Sequence, residues 1–124
     1  MNALTPNIPT RPLPSLAAAS APLPEYEQVA AAFLLGHRNT NTRKNYARSL
    51  KVWFTWCIDR GWDPLHEVKR HEIEFWIRHL EDVQGKAPRT VVHHLNALAG
   101  YYRTAEMDGH ITSDPMRFVN RPKS

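Results

Sequence analysis

Between residues 40 and 59 the sequence TNTRKNYARSLKVWFTWCID places its large apolar residues at helical intervals. Tyr46, Leu50, Trp53, Phe54, Cys57 and Ile58 form one stripe. Lys44, Arg48, Lys51 and Thr55 recur on the far side in steps of four, three and four. This pattern predicts a helix from Thr40 to about Arg60, capped by Thr40 or Asn41 and stopped at Gly61. Upstream, EYEQVAAAFLL has an acidic first turn, Val29 and Phe33 one turn apart, and Gly36 as a stop, which predicts a helix over 25–35.

Downstream, VKRHEIEFWIRHLEDVQG aligns Ile73, Trp76, Ile77, Leu80 and Val83, with Glu72, Glu74, Glu81 and Asp82 around the rest, and Gly85 breaks it. This third helix is the acidic one. Pro88 then opens a fourth helix whose predicted buried stripe is Val91, Val92, Leu95, Leu98, Ala99 and Tyr102. Its opposite face is Arg89, His93, Asn96, Gly100 and Arg103, and no acid appears from Gly85 until Glu106. No strand-like alternation and no internal repeat interrupts this order, so the fold class expected is all-α, a four-helix bundle.

The two ends read differently. Residues 1–24 hold six of the ten prolines, which predicts a disordered Pro/Ala-rich leader. Prolines 6, 9, 12 and 14 interrupt any apolar core there and argue against a signal peptide. The helical domain is expected over 25–112, and 113–124 is expected to leave the bundle as a polar tail or linker.

Composition narrows the function classes. The 124 residues, 42% hydrophobic, suit one small domain. A net charge of +4 favours polyanionic partners. The single cysteine, Cys57, lies on an apolar stripe and reads as a buried inert thiol. The run Val29 to Leu35 is far short of the roughly 20 residues that cross a bilayer, so a soluble, cytoplasmic protein with no membrane partner is expected. Seven histidines raise the question of zinc, but adjacent His93 and His94 diverge by about 100° on a helix and no ligand pair stands at i, i+4. No metal and no cofactor is expected. The cationic rows of the second and fourth helices fit either a solvated surface or a phosphate backbone.

The order of short motifs resembles the core-binding, SAM-like N-terminal domain of tyrosine recombinases, the phage integrase family. The resemblance rests on Thr42-Arg43 through Tyr46, Phe54-Thr55-Trp56-Cys57 with Gly61, Val68 to Ile73, Arg89-Thr90 with Leu95-Asn96-Ala97-Leu98 and Tyr101-Tyr102, and Gly109-His110-Ile111 with Asp114-Pro115 and Pro122-Lys123. It covers about residues 25–123. Ser49 and Ala99 depart from it, standing where aspartate and arginine are common in the family.

The resemblance implies half of a clamp around duplex DNA, with the second and fourth helices at the major groove. Those are the helices that carry the two basic faces. Arg43, Lys44, Arg48, Lys51, Lys86 and Arg89 are then the expected phosphate ligands, and Thr42, Thr90, His93 and Asn96 the candidates for groove or base-edge contact. The partner expected is double-stranded DNA, bound by a chain that is monomeric in solution and meets other recombinase protomers on DNA.

Strand exchange in the family needs a further domain with arginines, a lysine, histidines and a tyrosine nucleophile, and the residues to Ser124 hold no such set. Of the four tyrosines, Tyr26, Tyr46, Tyr101 and Tyr102, at least Tyr46 and Tyr102 fall on predicted core faces, so no catalysis by this chain alone is expected. Phe75 and Trp56 lie off their stripes and are expected to pack on the first helix or the leader, or to meet another protein. The rival readings are a helical protein-interaction module, such as a recombinase fragment that modulates a full-length partner, and a helix-turn-helix repressor.

Overall fold

A computed structural model describes residues 22–123, so that of the leader expected over residues 1–24 all but the last three lie outside the described residues. Four helices follow in order: α1 Glu25–Leu35, α2 Thr40–Asp59, α3 Arg70–Arg78, continued by a π-helical turn His79–Val83, and α4 Pro88–Met107. No strand occurs among the described residues. The all-α expectation holds, and so do the predicted bounds of α1 and α2 to within a residue and the predicted start of α4 at Pro88.

The helix stops have a simple cause. Gly61, Gly85 and Gly109 adopt φ of 76°, 63° and 80°, a left-handed conformation that costs other residues free energy. The start of α2 differs from expectation. Asn39, not Thr40 or Asn41, is the cap, its Oδ1 accepting the Thr42 N–H at 3.0 Å. At α3, the Glu72 carboxylate reaches back to accept the Lys69 N–H at 2.7 Å and so satisfies an amide at the helix start.

The core lies between α2, α3 and α4. Leu50, Trp53 and Cys57 meet Ile73, Trp76, Ile77 and Leu80 on one side and Val91, Leu95, Leu98 and Tyr102 on the other. At its centre the Tyr102 hydroxyl accepts from Trp53 Nε1 at 2.9 Å and donates to the Pro64 carbonyl at 2.6 Å, so three buried polar groups satisfy one another. Helix α1 buries only Val29 and Phe33 and crosses α4 at Gly100. The Tyr101 hydroxyl donates to the Tyr26 carbonyl at 2.9 Å and holds the same crossing. The Glu25 carboxylate, at the start of α1, bridges His66 Nε2 at 2.8 Å and His110 Nδ1 at 2.7 Å.

Several stripe assignments need correction. Ile58 is 50% exposed, because eight residues beyond Leu50 it has drifted about 80° round α2. Val83 is 72% exposed, because the π turn widens the helix and carries it off the Ile73–Leu80 line. Val92 and Ala99 are half-buried, whereas Ala97, Tyr101 and Ala105 join the core. Gly100, expected on the open face of α4, is buried beneath Phe33.

The segment from Ile111 does not leave the bundle as expected. Met116 is buried, the Asn120 N–H donates to Glu74 Oε2 at 3.3 Å, and Arg121 donates to Asn96 Oδ1. Apolar anchors at Ile111, Met116 and Val119 hold this tail against the helices.

Candidate nucleic-acid interface

The first halves of α2 and α4 lie side by side. The Tyr46 and His93 rings stack at 6.1 Å with 22° between their planes, and Ser49 Oγ lies 2.8 Å from His94 Nδ1. Ser49 is buried, so the position where the family resemblance suggests aspartate here holds a neutral hydroxyl that orients an imidazole. Burial, followed by the nearby charges of His93 and Lys86, pushes the His94 pKa down and favours the neutral ring.

Around this seam the expected site residues take distinct positions. Lys44, Lys86, Arg89, Thr90 and His93 are exposed. Arg48 is exposed and donates to Asn45 Oδ1 at 3.0 Å, which brings Asn45, a residue the periodicity did not single out, onto the same surface. Arg43 is half-buried and stitches the turn before α2, donating to the His37 carbonyl at 2.6 Å, the Arg38 carbonyl at 3.3 Å and Thr40 Oγ1 at 3.3 Å. Its guanidinium thus serves the fold. Thr42 is half-buried at the cap.

Lys51 stands at another edge, lining a groove of about 550 Å³ between α1 and α2 with Tyr26, Glu27, Ala30 and Phe54. Asn96 is exposed but tied to Arg121. Arg89 and Thr90 line a hollow of about 460 Å³ with Ala87, Pro88 and Lys123. Arg121 and Lys123 were missed because helical periodicity carries no information about a tail that returns from beyond Gly109.

Charge is segregated. Among the described residues the arginine ion pairs, Arg70–Glu74 at 2.9 Å and Arg78–Asp82 at 3.2 Å, belong to α3 and its π turn. Among the described residues no carboxylate stands within 4.0 Å of the charged groups of Lys44, Arg48, Lys51, Lys86 or Arg89. The cations of α2 and α4 are therefore left for solvent or an external anion.

Two other candidates resolve differently. Phe75, 57% exposed, packs on Trp56 with ring centroids 5.8 Å apart, so the pair joins α2 to α3, a contact that was not among those expected. Arg60 also stacks on Trp56, 3.0 Å from its ring centre. Burial raises the pKa of Tyr26, Tyr101 and Tyr102, and the hydroxyls of Tyr101 and Tyr102 are committed to hydrogen bonds with backbone carbonyls, so none of these three is poised as a nucleophile. Among the described residues no cluster of three or more His, Cys, Asp or Glu side chains could hold a metal ion. No helix there is long and apolar enough to cross a membrane.

No curated protein and no solved structure matches the chain. The family model described as phage integrase, N-terminal SAM-like domain, matches residues 31–109, which takes in the second half of α1 from residue 31, all of α2 and α3, and α4 to its end. That domain suggests interaction with DNA and a role in DNA recombination of the tyrosine recombinase type. With its four helices and nearly two thirds of its length under that match, the chain belongs to the phage integrase N-terminal SAM-like domain family.

Proposed function

We propose that residues 25–112 hold double-stranded DNA as the core-binding half of a site-specific tyrosine recombinase, with the open face of α2 and α4 against the duplex. The observation that carries this reading is how charge is paired: among the described residues the lysines and arginines of these helices form no ion pair, while Arg70 and Arg78 of α3 are paired with Glu74 and Asp82. Lys44, Arg48, Lys86 and Arg89 contact phosphates, and Thr90 and His93 face the groove beside the seam. Arg43 acts indirectly by fixing the turn that aims α2. Lys51, at the α1 edge, contributes less. Cutting and joining of strands belong to a catalytic domain outside the matched residues, and other protomers assemble on the same DNA.

Fluorescence anisotropy of a labelled 30-base-pair duplex, titrated across salt, tests this. About four phosphate contacts give a log–log slope near −4. The Lys44→Glu/Arg48→Glu/Arg89→Glu protein loses binding while keeping its helical circular dichroism, and Lys51→Glu alone retains most of it. A flat salt response, or full affinity in the triple variant, would refute the surface.

A protein-interaction role has one observation in its favour, the exposed ring of Phe75 beside Trp56. Under that reading the triple charge reversal leaves the partner effect intact and Phe75→Ser removes it.

A further inference from the structure

The tail after α4 runs back along the groove between α3 and α4. Asp114 Oδ1 accepts the Met116 N–H at 2.8 Å and closes a tight turn, and Met116 inserts into the core. Beyond it, Asn120, Arg121 and Pro122 lie against Glu74, Ile77, Arg78 and Glu81 of α3 and its π turn.

Arg121 has acidic neighbours available there, yet its guanidinium forms no ion pair and donates to Asn96 on α4. Glu74 is occupied by Arg70 at 2.9 Å. Two residues on, Lys123 faces Arg89 and Thr90 across a hollow of about 460 Å³ at the start of α4. Arg121 and Lys123 thereby extend the cationic surface of Lys86 and Arg89 along α4. None of these four side chains has a carboxylate within 4.0 Å among the described residues.

We infer that Asn120–Lys123 is a built part of the DNA-binding surface, in which Arg121 and Lys123 bind backbone phosphates and Arg121 also takes Asn96 away from base reading. This rests on the proposed DNA-binding role. Recognition of adenine by Asn needs its carbonyl oxygen to accept from the base and its amide to donate. In this structure Arg121 already donates to that oxygen and holds Asn96 to the tail, and the pair brings guanidinium and amide donors together, which suits phosphate oxygens.

The Arg121→Gln/Lys123→Gln protein tests the inference, since glutamine at 121 can still donate to Asn96 while both charges are gone. With these two contacts added to the four of α2 and α4 the parent slope steepens to about −5.4, and in the same anisotropy titration the variant's slope is expected to be smaller in magnitude by about 1.8, at about 0.9 per phosphate contact, with binding about 10- to 100-fold weaker near 0.1 M salt. An unchanged slope and affinity, in a protein whose binding Lys44→Glu/Arg48→Glu/Arg89→Glu abolishes, would overturn the role of the tail and leave the DNA-binding role standing. Failure of the unmodified chain to bind at low salt would overturn both.

Discussion

A methyl group added at Gly100 tests how α1 is seated. A Cβ built there stands 2.3 Å from Phe33 Cε1 and 2.6 Å from Cζ, against the roughly 3.5–4.0 Å of ordinary carbon contacts. One of the two must move by about 1 Å or more. The Phe33 ring has little room to swing, being flanked by His37 at 5.0 Å and Tyr46 at 5.5 Å between ring centres. The strain of such overpacking is about 1–3 kcal/mol, and alanine's helix propensity returns about 1 kcal/mol relative to glycine. Gly100→Ala is therefore expected to destabilise by about 1 kcal/mol, lowering Tm by about 4–8 °C for a domain of this size. Urea unfolding followed by tryptophan fluorescence measures it. Because two opposing terms nearly cancel, the decisive quantity is the coupling in a double-mutant cycle with Phe33→Leu, which deletes both colliding atoms. The double variant is expected to be more stable than the sum of the single effects predicts, by about 1 kcal/mol or more. A stabilised Gly100→Ala protein with no coupling to position 33 would refute the reasoning.

Three further expectations follow from buried or bridging groups. Tyr102→Phe strands Trp53 Nε1 and the Pro64 carbonyl in the core and is expected to cost about 1–3 kcal/mol per stranded group by urea unfolding; a neutral effect would mean that these groups find other partners. Burial pushes the Cys57 thiol up to about 12, so a disulfide reagent at pH 8 should label the folded protein very slowly and the urea-unfolded protein at once. Hydrogen bonds to His66 and His110 lower the pKa of Glu25, and the bond to Glu25 raises that of His66. The Glu25 contribution is thus lost as pH falls below about 4.5, and that of His66 as pH rises through its raised value above 6.5. The stability difference between the parent and Glu25→Gln should peak between those limits, and a difference that stays constant from pH 4 to 8 would rule the bridge out.

The helices and their ends were legible in the sequence because their causes are local: apolar spacing, proline at the start of α4 and glycine at three stops. The central core was legible for the same reason, through Leu50, Trp53, Ile73, Trp76, Leu95 and Tyr102. What periodicity assigned incorrectly depends on contacts distant in sequence. Gly100 looked solvent-facing because nothing near it reveals that Phe33, 67 positions earlier, lies over it. Val83 was misplaced because a π turn changes the angular step within one helix. At the candidate interface the cationic rows were legible, but the commitment of Arg43 to the preceding turn and of Asn96 to Arg121 was not. Both depend on hydrogen bonds whose partners no helical repeat specifies.

The thin seating of α1 also bears on how the fold opens. Val29 and Phe33 are its only fully buried side chains, with Tyr26, Ala30 and Leu34 partly covered against a core that α2, α3 and α4 close through Trp53, Trp76 and Tyr102. Its amides should then exchange with solvent through a partial opening well below the free energy of global unfolding, while those around Trp53 and Leu98 exchange only when the whole chain unfolds. The His37–Asn39 connection becomes the natural point of protease attack in that open form. The domain would thus behave as a stable three-helix body with a detachable first helix.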